Sequence, residues 1–197
     1  MGSLRWRLES ETLGQSGGRD TSEVNGETHM LRTPESKAEI TFARLSLVPM
    51  GEIADHMSDP ALAAHMPLLS GPWDADRAAK FVAMKEARWD QDGLGHWAIL
   101  SNGAYVGWGG FQREDMDWDF GLVLKPTAFG LGLRITQKAL GFAQDDPRIG
   151  SVTFLLPPTR TKLGALSRMG AMPEGEVTLD GARFRKFRLT TNGSGLG

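Results

Sequence analysis

The sequence contains no cysteine and a single tyrosine, Tyr105, among its 197 residues. Without thiols the chain can form no disulfide, bind no metal through cysteine and use no thiolate nucleophile. It also lacks an apolar run of the roughly 18 residues that a membrane-spanning helix needs. No signal-peptide-like apolar segment stands near the N-terminus. We therefore expect a cytoplasmic protein that does not associate with membranes.

The chain has no large excess of charge of either sign. Its 22 basic and 24 acidic side chains give a net charge of −2. The acidic excess lies in residues 1–36, and residues 37–197 hold equal numbers of acidic and basic side chains. A neutral folded part gives no electrostatic reason to expect a nucleic-acid partner.

Residues 1–36 are poor in apolar side chains and rich in Gly, Ser, Glu and Thr. Such a composition does not bury enough surface to fold alone. We expect a disordered N-terminal extension or a non-native addition, with Met30 as an alternative start. Residues 37–197 are predicted to form one domain.

The most informative stretch runs from Asp119 to Ala143. It begins with the apolar run Phe120–Leu124, which favours a strand and is stopped by Pro126. Two glycines, Gly130 and Gly132, then precede apolar residues at helical spacing. The pattern predicts a strand, a glycine-rich turn and a helix.

The N-terminus of this predicted helix suits a phosphate group, because its first N–H groups have no partner within the helix. Glycines allow the phosphate to approach the backbone closely. The predicted phosphate cradle consists of five backbone amides, those of Gly130, Leu131, Gly132, Leu133 and Arg134.

Two common phosphate-binding loops do not fit this turn. A Walker A loop needs Lys and then Ser or Thr after its last glycine, where the chain has Leu133 and Arg134. A dinucleotide fingerprint needs a third glycine where the chain has Ile135. Both are excluded.

Strands and helices follow one another throughout the rest of the chain. The predicted elements are a strand Glu39–Leu47, one or two short helices in Met50–Ala64 interrupted by Pro60, a helix from the N-cap Asp74 to about Asp90, strands His96–Leu100, Ala104–Gln112 and Trp118–Leu124, the central helix, a strand Ile149–Leu156, a helix Lys162–Met169, and a hairpin of Val177–Leu179 and Ala182–Leu189.

The segment Gly130-Leu131-Gly132, with Pro126 and Phe129 before it, resembles the acyl-CoA-binding signature Q/R-x-x-G-x-G/A of the Gcn5-related N-acetyltransferases (GNAT). Thr127 replaces the usual Gln or Arg, as in the branch that acetylates ribosomal-protein N-termini. The order of elements over residues 38–190 resembles the same family.

This resemblance implies an α+β fold with a central mixed, mostly antiparallel, splayed sheet of about six or seven strands and about four helices. It also implies acetyl-CoA as donor, no metal, and direct transfer of acetyl to a primary amine of a protein N-terminus or a small molecule. The acceptor itself stays open. A non-catalytic CoA-binding module and an enzyme using a longer acyl-CoA are the alternatives, and the chain is expected to be a monomer or homodimer.

The resemblance also assigns roles to individual residues. The pantetheine arm would pair with the backbone of Leu122, Val123 and Leu124, beside Phe129 and the glycine turn. Thr159 and Lys162 occupy the places of an Asn-x-x-Ser motif in a neighbouring branch, and they are further candidates for binding the cofactor. The side chains of Arg134, Lys138, Lys162 and Arg168 either pair with CoA phosphates or are solvated.

Asp119 is the candidate general base. It ends the acidic stretch Glu114–Asp119, whose crowded carboxylates should raise one another's pKa and attract a cationic amine, unless they form a solvated turn. Glu114, Asp117 and Trp73 are candidates for binding the acceptor. His96 is a candidate base or proton relay, or else a structural histidine.

The general acid has no clear candidate. Tyr105 is the only tyrosine and is kept as a catalytic candidate, although it lies in an earlier strand than the family's tyrosine. Otherwise the thiolate leaves without help from the protein.

Overall fold

The computed structural model describes residues 38–63, 71–158, 160, 163–179 and 181–191. Residues 1–36, Thr159 and Lys162 lie outside the described residues. The strands are β1 (Ile40–Arg44), β2 (His96–Ser101), β3 (Ala104–Glu114), β4 (Asp117–Leu124), β5 (Ser151–Leu156), β6 (Met172–Leu179) and β7 (Ala182–Thr190). The α-helices are α1 (Met50–Met57), α2 (Pro60–Ala63), α3 (Ala75–Asp92), α4 (Gly132–Asp145) and α5 (Gly164–Arg168), and Leu45–Leu47 and Pro126–Leu131 are 3₁₀-helices.

The predicted α+β architecture is confirmed, and several predicted bounds need correction. Leu45–Leu47 is a 3₁₀ turn closed by a hydrogen bond from Val48 N–H to the Leu45 carbonyl, so β1 ends at Arg44. The short helices predicted in Met50–Ala64 are α1 and α2, and Pro60 is the first residue of α2. The glycine turn is helical throughout: a 3₁₀-helix runs into α4, which begins at Gly132. α5 spans only Gly164–Arg168, and β6 begins at Met172 because it pairs with β7 over its length.

Helix α3 has strong signals at both ends. The Asp74 side chain accepts a hydrogen bond from the Arg77 N–H at 2.8 Å, as an N-cap does. Gly93 ends the helix with φ of 67°, a left-handed conformation that glycine adopts without strain. These two residues fix the length of α3 and therefore which of its side chains face the sheet.

The seven strands form one sheet in the order β1-β2-β3-β4-β5-β7-β6. All neighbours are antiparallel except β4 and β5, which run parallel. The parallel pair joins a four-strand half, β1–β4, to a three-strand half, β5-β7-β6. The sheet is thus mixed and mostly antiparallel, as predicted.

Helices cover both faces of the sheet. On one face, α4 packs through Ile135 and Ala139 against a core that includes Leu122 and Leu124 of β4. On the other face, α1 and α3 pack against a second core, which includes Val123 of β4. Alternate residues of β4 therefore belong to opposite cores, and Asp119 shares its face with Val123. In the part of the chain that the structure describes, no helix combines the length and apolar character of a membrane span.

Candidate active site

Strands β4 and β5 separate shortly after they pair. Their register contains only the pairs Trp118↔Val152 and Asp119↔Thr153. β4 continues to Leu124 and β5 to Leu156, but these later residues do not pair with each other. The sheet therefore opens into a gap whose base lies at Asp119 and Thr153.

The backbone of β4 presents alternate residues to this gap. The Val123 and Gly121 carbonyl oxygens point towards β3, so closely that a Cβ on Gly107 or Gly109 would lie 2.3 or 2.4 Å from them. The Lys125 N–H likewise donates to the Val106 carbonyl of β3 at 2.8 Å. Because direction alternates along a strand, the N–H and C=O groups of Leu122 and Leu124 face the gap.

The N-terminus of α4 follows directly after β4 and its 3₁₀ turn. The N-cap residue, Leu131, has no side-chain oxygen to accept hydrogen bonds from the first turn. Of the five predicted amides, that of Gly132 donates to the Phe129 carbonyl within the 3₁₀-helix. Leu133 and Arg134 follow in the first turn of α4, and the residues four positions before them belong to the 3₁₀-helix rather than to α4. Phe129 is half-buried and packs against both cores.

The basic side chains of α4 hold the N-terminal strand. The Arg134 guanidinium donates to the Ala38 carbonyl at 2.6 Å, and Lys138 Nζ donates to the Ile40 carbonyl at 2.6 Å. Lys138 also lies 5.8 Å from the centre of the Phe42 ring. Neither side chain is therefore simply solvated. The predicted phosphate cradle then consists of backbone amides alone.

Asp119 lies at the base of the gap with only 5% of its surface exposed. Thr153 Oγ1 of β5 donates to Asp119 Oδ1 at 3.0 Å. On β3 its register partner is Gln112, which is also buried. The candidate base is therefore held by β5 and lies opposite a buried glutamine of β3.

The other carboxylates of the acidic stretch have different surroundings. Asp117 accepts hydrogen bonds from Arg188 at 2.7 Å and from Lys186 at 2.8 Å. The hydrogen bond from Arg188 is the largest cause that lowers the pKa of Asp117 to about 2, with Lys186 adding to it. For Asp117, the expectation that crowding raises the pKa is wrong, because two cations of β7 outweigh its acidic neighbours. Glu114 accepts a hydrogen bond from the side-chain amide of Gln112.

His96 and Tyr105 are buried on strands β2 and β3, beneath the helices. Burial is the main cause that lowers the pKa of His96 well below 6.5, so the ring is neutral. The Tyr105 hydroxyl lies 3.0 Å from His56 Nδ1 of α1, and burial raises its pKa. Both lie on the face of the sheet that α1 and α3 cover, which is also the face of Asp119.

Trp73 lies just before α3 and is half-buried. Its ring packs edge-on against Phe81 at 5.4 Å, and the Arg77 guanidinium stacks over it at 4.7 Å. These contacts attach Trp73 to the α3 side of the sheet, the side that Asp119 faces.

Sequence reasoning missed Lys85, which is only 1% exposed on α3. Its Nζ donates to Gln112 Oε1 at 3.0 Å, beside the strand that carries Asp119. A signal was present, since Lys85 lies four residues after Phe81 and three after Val82, both on the buried face of α3. Among the residues that the structure describes, no group of acidic or histidine side chains is arranged to hold a metal ion.

Known proteins resemble this chain in structure but not in sequence. No family model matches the sequence, and no curated protein matches it. An acetyltransferase from Agrobacterium tumefaciens strain C58 aligns with a TM-score of 0.60 and 19% identity, over 87% of this chain and 99% of that one.

Two further solved structures contain CoA compounds. RimL, the ribosomal L7/L12 alpha-N-protein acetyltransferase, in complex with coenzyme A, aligns with a TM-score of 0.62 and 14% identity, over 79% of this chain and 94% of that one. The microcin C7 self-immunity acetyltransferase MccE, in complex with acetyl-CoA and AMP, aligns with a TM-score of 0.62 and 13% identity, over 77% and 92% of the two chains. Likeness at this level of identity shows a shared fold.

Proposed function

We propose that this chain, which has the GNAT fold, transfers an acetyl group from acetyl-CoA to a primary amine. The observation that carries the proposal is the gap between β4 and β5, which opens beside the start of α4. A gap lined by strand backbone suits an extended chain of amides, and a helix N-terminus suits a diphosphate. The pantetheine arm and the diphosphate of CoA have these two features in this order.

Acetyl-CoA would be held mainly by backbone groups. The N–H and C=O groups of Leu122 and the N–H of Leu124 would pair with the pantetheine amides, and the first-turn amides of Leu133 and Arg134 would bind the phosphates. Acetyl-CoA supplies an activated thioester: a bond forms from the amine nitrogen to the acetyl carbon, the C–S bond breaks, and CoA leaves as a thiolate. Direct attack is the route that fits a chain without cysteine.

Asp119 is the proposed proton acceptor. Its carboxylate lies at the base of the gap, and its hydrogen bond from Thr153 fixes its orientation. A positioned base contributes about 10²–10⁴-fold to such a reaction. The acceptor would approach across the face covered by α1 and α3, which Asp119 and Trp73 share. Asp117 lies two residues before Asp119, at the start of β4.

The proposed acceptor class is a protein N-terminus or a small-molecule amine. RimL acts on the alpha-amino group of a ribosomal protein, according to its description. A panel that holds peptides with free N-termini, polyamines and amino acids covers both parts of the class. Release of CoA thiol reports turnover for each compound.

Binding of the donor is tested by isothermal titration of acetyl-CoA and CoA into the full chain. Gly130 is exposed in the turn before α4, so Gly130→Glu should fold and place a carboxylate among the phosphates. We expect the affinity to fall at least tenfold. Gly141→Glu is the matched control, because Gly141 lies away from this turn, in the second half of α4, and a Cβ there meets nothing within 4 Å. Absence of binding to wild type, or an equal loss in both variants, would contradict the proposal.

One observation favours a second candidate, a CoA-binding module without turnover. The only tyrosine of the chain, Tyr105, is buried against His56, and burial raises the pKa of its hydroxyl, which makes it a poor general acid. This candidate predicts tight binding of acetyl-CoA without release of thiol for any amine in the panel. Turnover with one amine would exclude it.

A further inference from the structure

Lys85 is a buried lysine in the middle of α3. Its side chain is 1% exposed and lies between the rings of Phe81 and Trp108, with Nζ 5.6 and 5.3 Å from their centres. Lysine is almost never fully buried without a partner, because removing an ammonium from water is costly. An apolar residue of similar size would make the same contacts without that cost.

The polar contacts of Lys85 lead to the base of the gap. Its Nζ donates to Gln112 Oε1 at 3.0 Å, and Gln112 lies directly opposite Asp119 in the register of β3 and β4. The amide of Gln112 donates in turn to Glu114. The ammonium is thus anchored beside the strand position that carries the proposed base.

Charged and titratable groups face Lys85 from four elements. Glu114 of β3 and Asp119 of β4 favour its charged form, whereas Arg88 of α3 disfavours it, and His96 of β2 is neutral and senses the lysine charge. Burial is the largest effect and lowers the pKa of Lys85 to about 7. The ammonium is therefore charged through the acid range in which carboxylates titrate.

The influence of Lys85 on Asp119 follows from reciprocity. If the carboxylate at Asp119 favours the charged lysine, the charged lysine favours the ionised carboxylate by the same free energy. On its other side Asp119 meets the hydroxyl of Thr153, whose register partner Arg188 is bound to Asp117 and Glu174. Arg188 is thus already committed to other carboxylates, and Lys85 is the cation that faces Asp119 from the helix layer.

We propose that Lys85 is a positioning residue for Asp119: its buried ammonium keeps the carboxylate ionised at a buried position, so that it can accept a proton. The inference rests on the proposed function for its purpose, but the electrostatic coupling exists with or without turnover. A carboxyl group buried to this extent would otherwise favour its neutral form, which cannot accept a proton.

The test measures the ionisation of Asp119 without any substrate. The full chain is labelled with ¹³C-aspartate, and the Asp119 carboxyl signal is assigned by its loss in Asp119→Asn. Its titration midpoint is then compared in wild type, Lys85→Met and Lys85→Gln. We expect the midpoint to rise by about one pH unit or more in both variants, since a nearby opposite charge lowers a carboxyl pKa by about 1–3 units.

The control is Lys80→Met, the same substitution on the exposed face of α3, which should leave the midpoint unchanged. A midpoint that does not move in folded Lys85→Met or Lys85→Gln would overturn the inference. An unchanged midpoint in Lys85→Gln would overturn it even if the midpoint moved in Lys85→Met, because glutamine can keep the hydrogen bond but not the charge.

If an amine substrate is found, the acid limb of the kcat/KM profile should move to higher pH in the same variants. Absence of turnover would count against the proposed function and leave the carboxyl titration as the test of the inference.

Discussion

Thr153 donates a hydrogen bond to Asp119 at the last point where β4 and β5 are still paired. The contact joins the two halves of the sheet and orients the carboxylate that lies at the base of the gap. One residue further along β4, the strands no longer pair. The proposed base therefore sits where the sheet is rigid, and the proposed donor site begins where the sheet opens.

Loss of the Asp119 carboxylate should abolish most acetyl transfer. We expect Asp119→Asn to lower kcat/KM for an amine substrate by at least about 100-fold, the effect of removing a positioned base. Thr153→Val should lower it by about tenfold, since a hydrogen bond to a charged group contributes roughly 1.5–3 kcal/mol. Steady-state release of CoA thiol measures both.

Asp117→Asn is the matched control for that experiment. Its carboxylate is bound by Arg188 and Lys186, so its loss should weaken this ion-pair network and change kcat/KM little. Acetyl-CoA affinity should stay within about twofold of wild type in all three variants, because none supplies a proposed donor contact. A larger loss of kcat/KM in Asp117→Asn than in Asp119→Asn would mean that Asp119 is not the base.

Local signals in the sequence predicted most elements of the fold. Asp74 marked the start of α3, and the Asn102-Gly103 pair marked the turn between β2 and β3, where both residues have positive φ. Each signal acts within a few residues along the chain. Such features can therefore be identified without knowledge of the tertiary structure.

The features of the candidate site that were missed depend on contacts between distant segments. The gap exists because β4 and β5, separated by α4, pair at two positions only, and no local pattern encodes that register. For the Arg134 side chain the sequence left a CoA phosphate and solvent as alternatives, but it donates to the Ala38 carbonyl, 96 residues away. Lys85 stands in the apolar stripe of α3, yet a lysine in such a pattern is ordinarily assigned to the surface.

Close approach of β3 and β4 makes Gly109 sensitive to any side chain. A Cβ there would lie 2.4 Å from the Gly121 carbonyl oxygen, a backbone atom that cannot move without parting the two strands. We expect Gly109→Ala to lower the free energy of unfolding by about 3 kcal/mol, the upper range for overpacking. Gly141→Ala, in open space on α4, should instead stabilise by about 0.5–1 kcal/mol. Urea unfolding of both variants gives the comparison, and equal effects would mean that β3 and β4 are further apart.

His56 should make the fold sensitive to mild acid. Burial is the main cause that lowers its pKa from 6.5 to about 4, and the Leu124 carbonyl offsets part of that effect. Between these pH values the unfolded chain binds a proton that the folded chain does not, so stability falls as the pH falls from 6.5 to 4. The loss is on the order of 3 kcal/mol.

The comparison of wild type with His56→Gln isolates this residue, because His96 is present in both. Relative to the variant, wild type should lose stability in urea between pH 7 and pH 4.5. Parallel pH profiles for the two proteins would show that His56 is not the group that titrates.

The stability of the fold should also depend on Lys85, but at alkaline pH. Burial lowers its pKa from 10.5 to about 7, so between these values the unfolded chain carries a proton that the folded chain lacks. Stability therefore rises with pH across this window, by an amount on the order of a few kcal/mol. Lys85→Met should be the more stable protein at pH 7, since it removes a buried charge and keeps the apolar contacts with Phe81 and Trp108.

The difference in the free energy of unfolding between Lys85→Met and wild type should then decrease as the pH rises from 7 towards 10. The stability of Lys80→Met should follow that of wild type throughout. A variant that is more stable but has a displaced Asp119 titration would mean that the lysine is retained at a cost to the fold. A variant that is less stable at pH 7 would mean the opposite, that Lys85 stabilises α3 against the sheet. Chemical unfolding of the three proteins at pH 7, 8.5 and 10 separates these two roles for the one buried cation that faces the candidate base from α3.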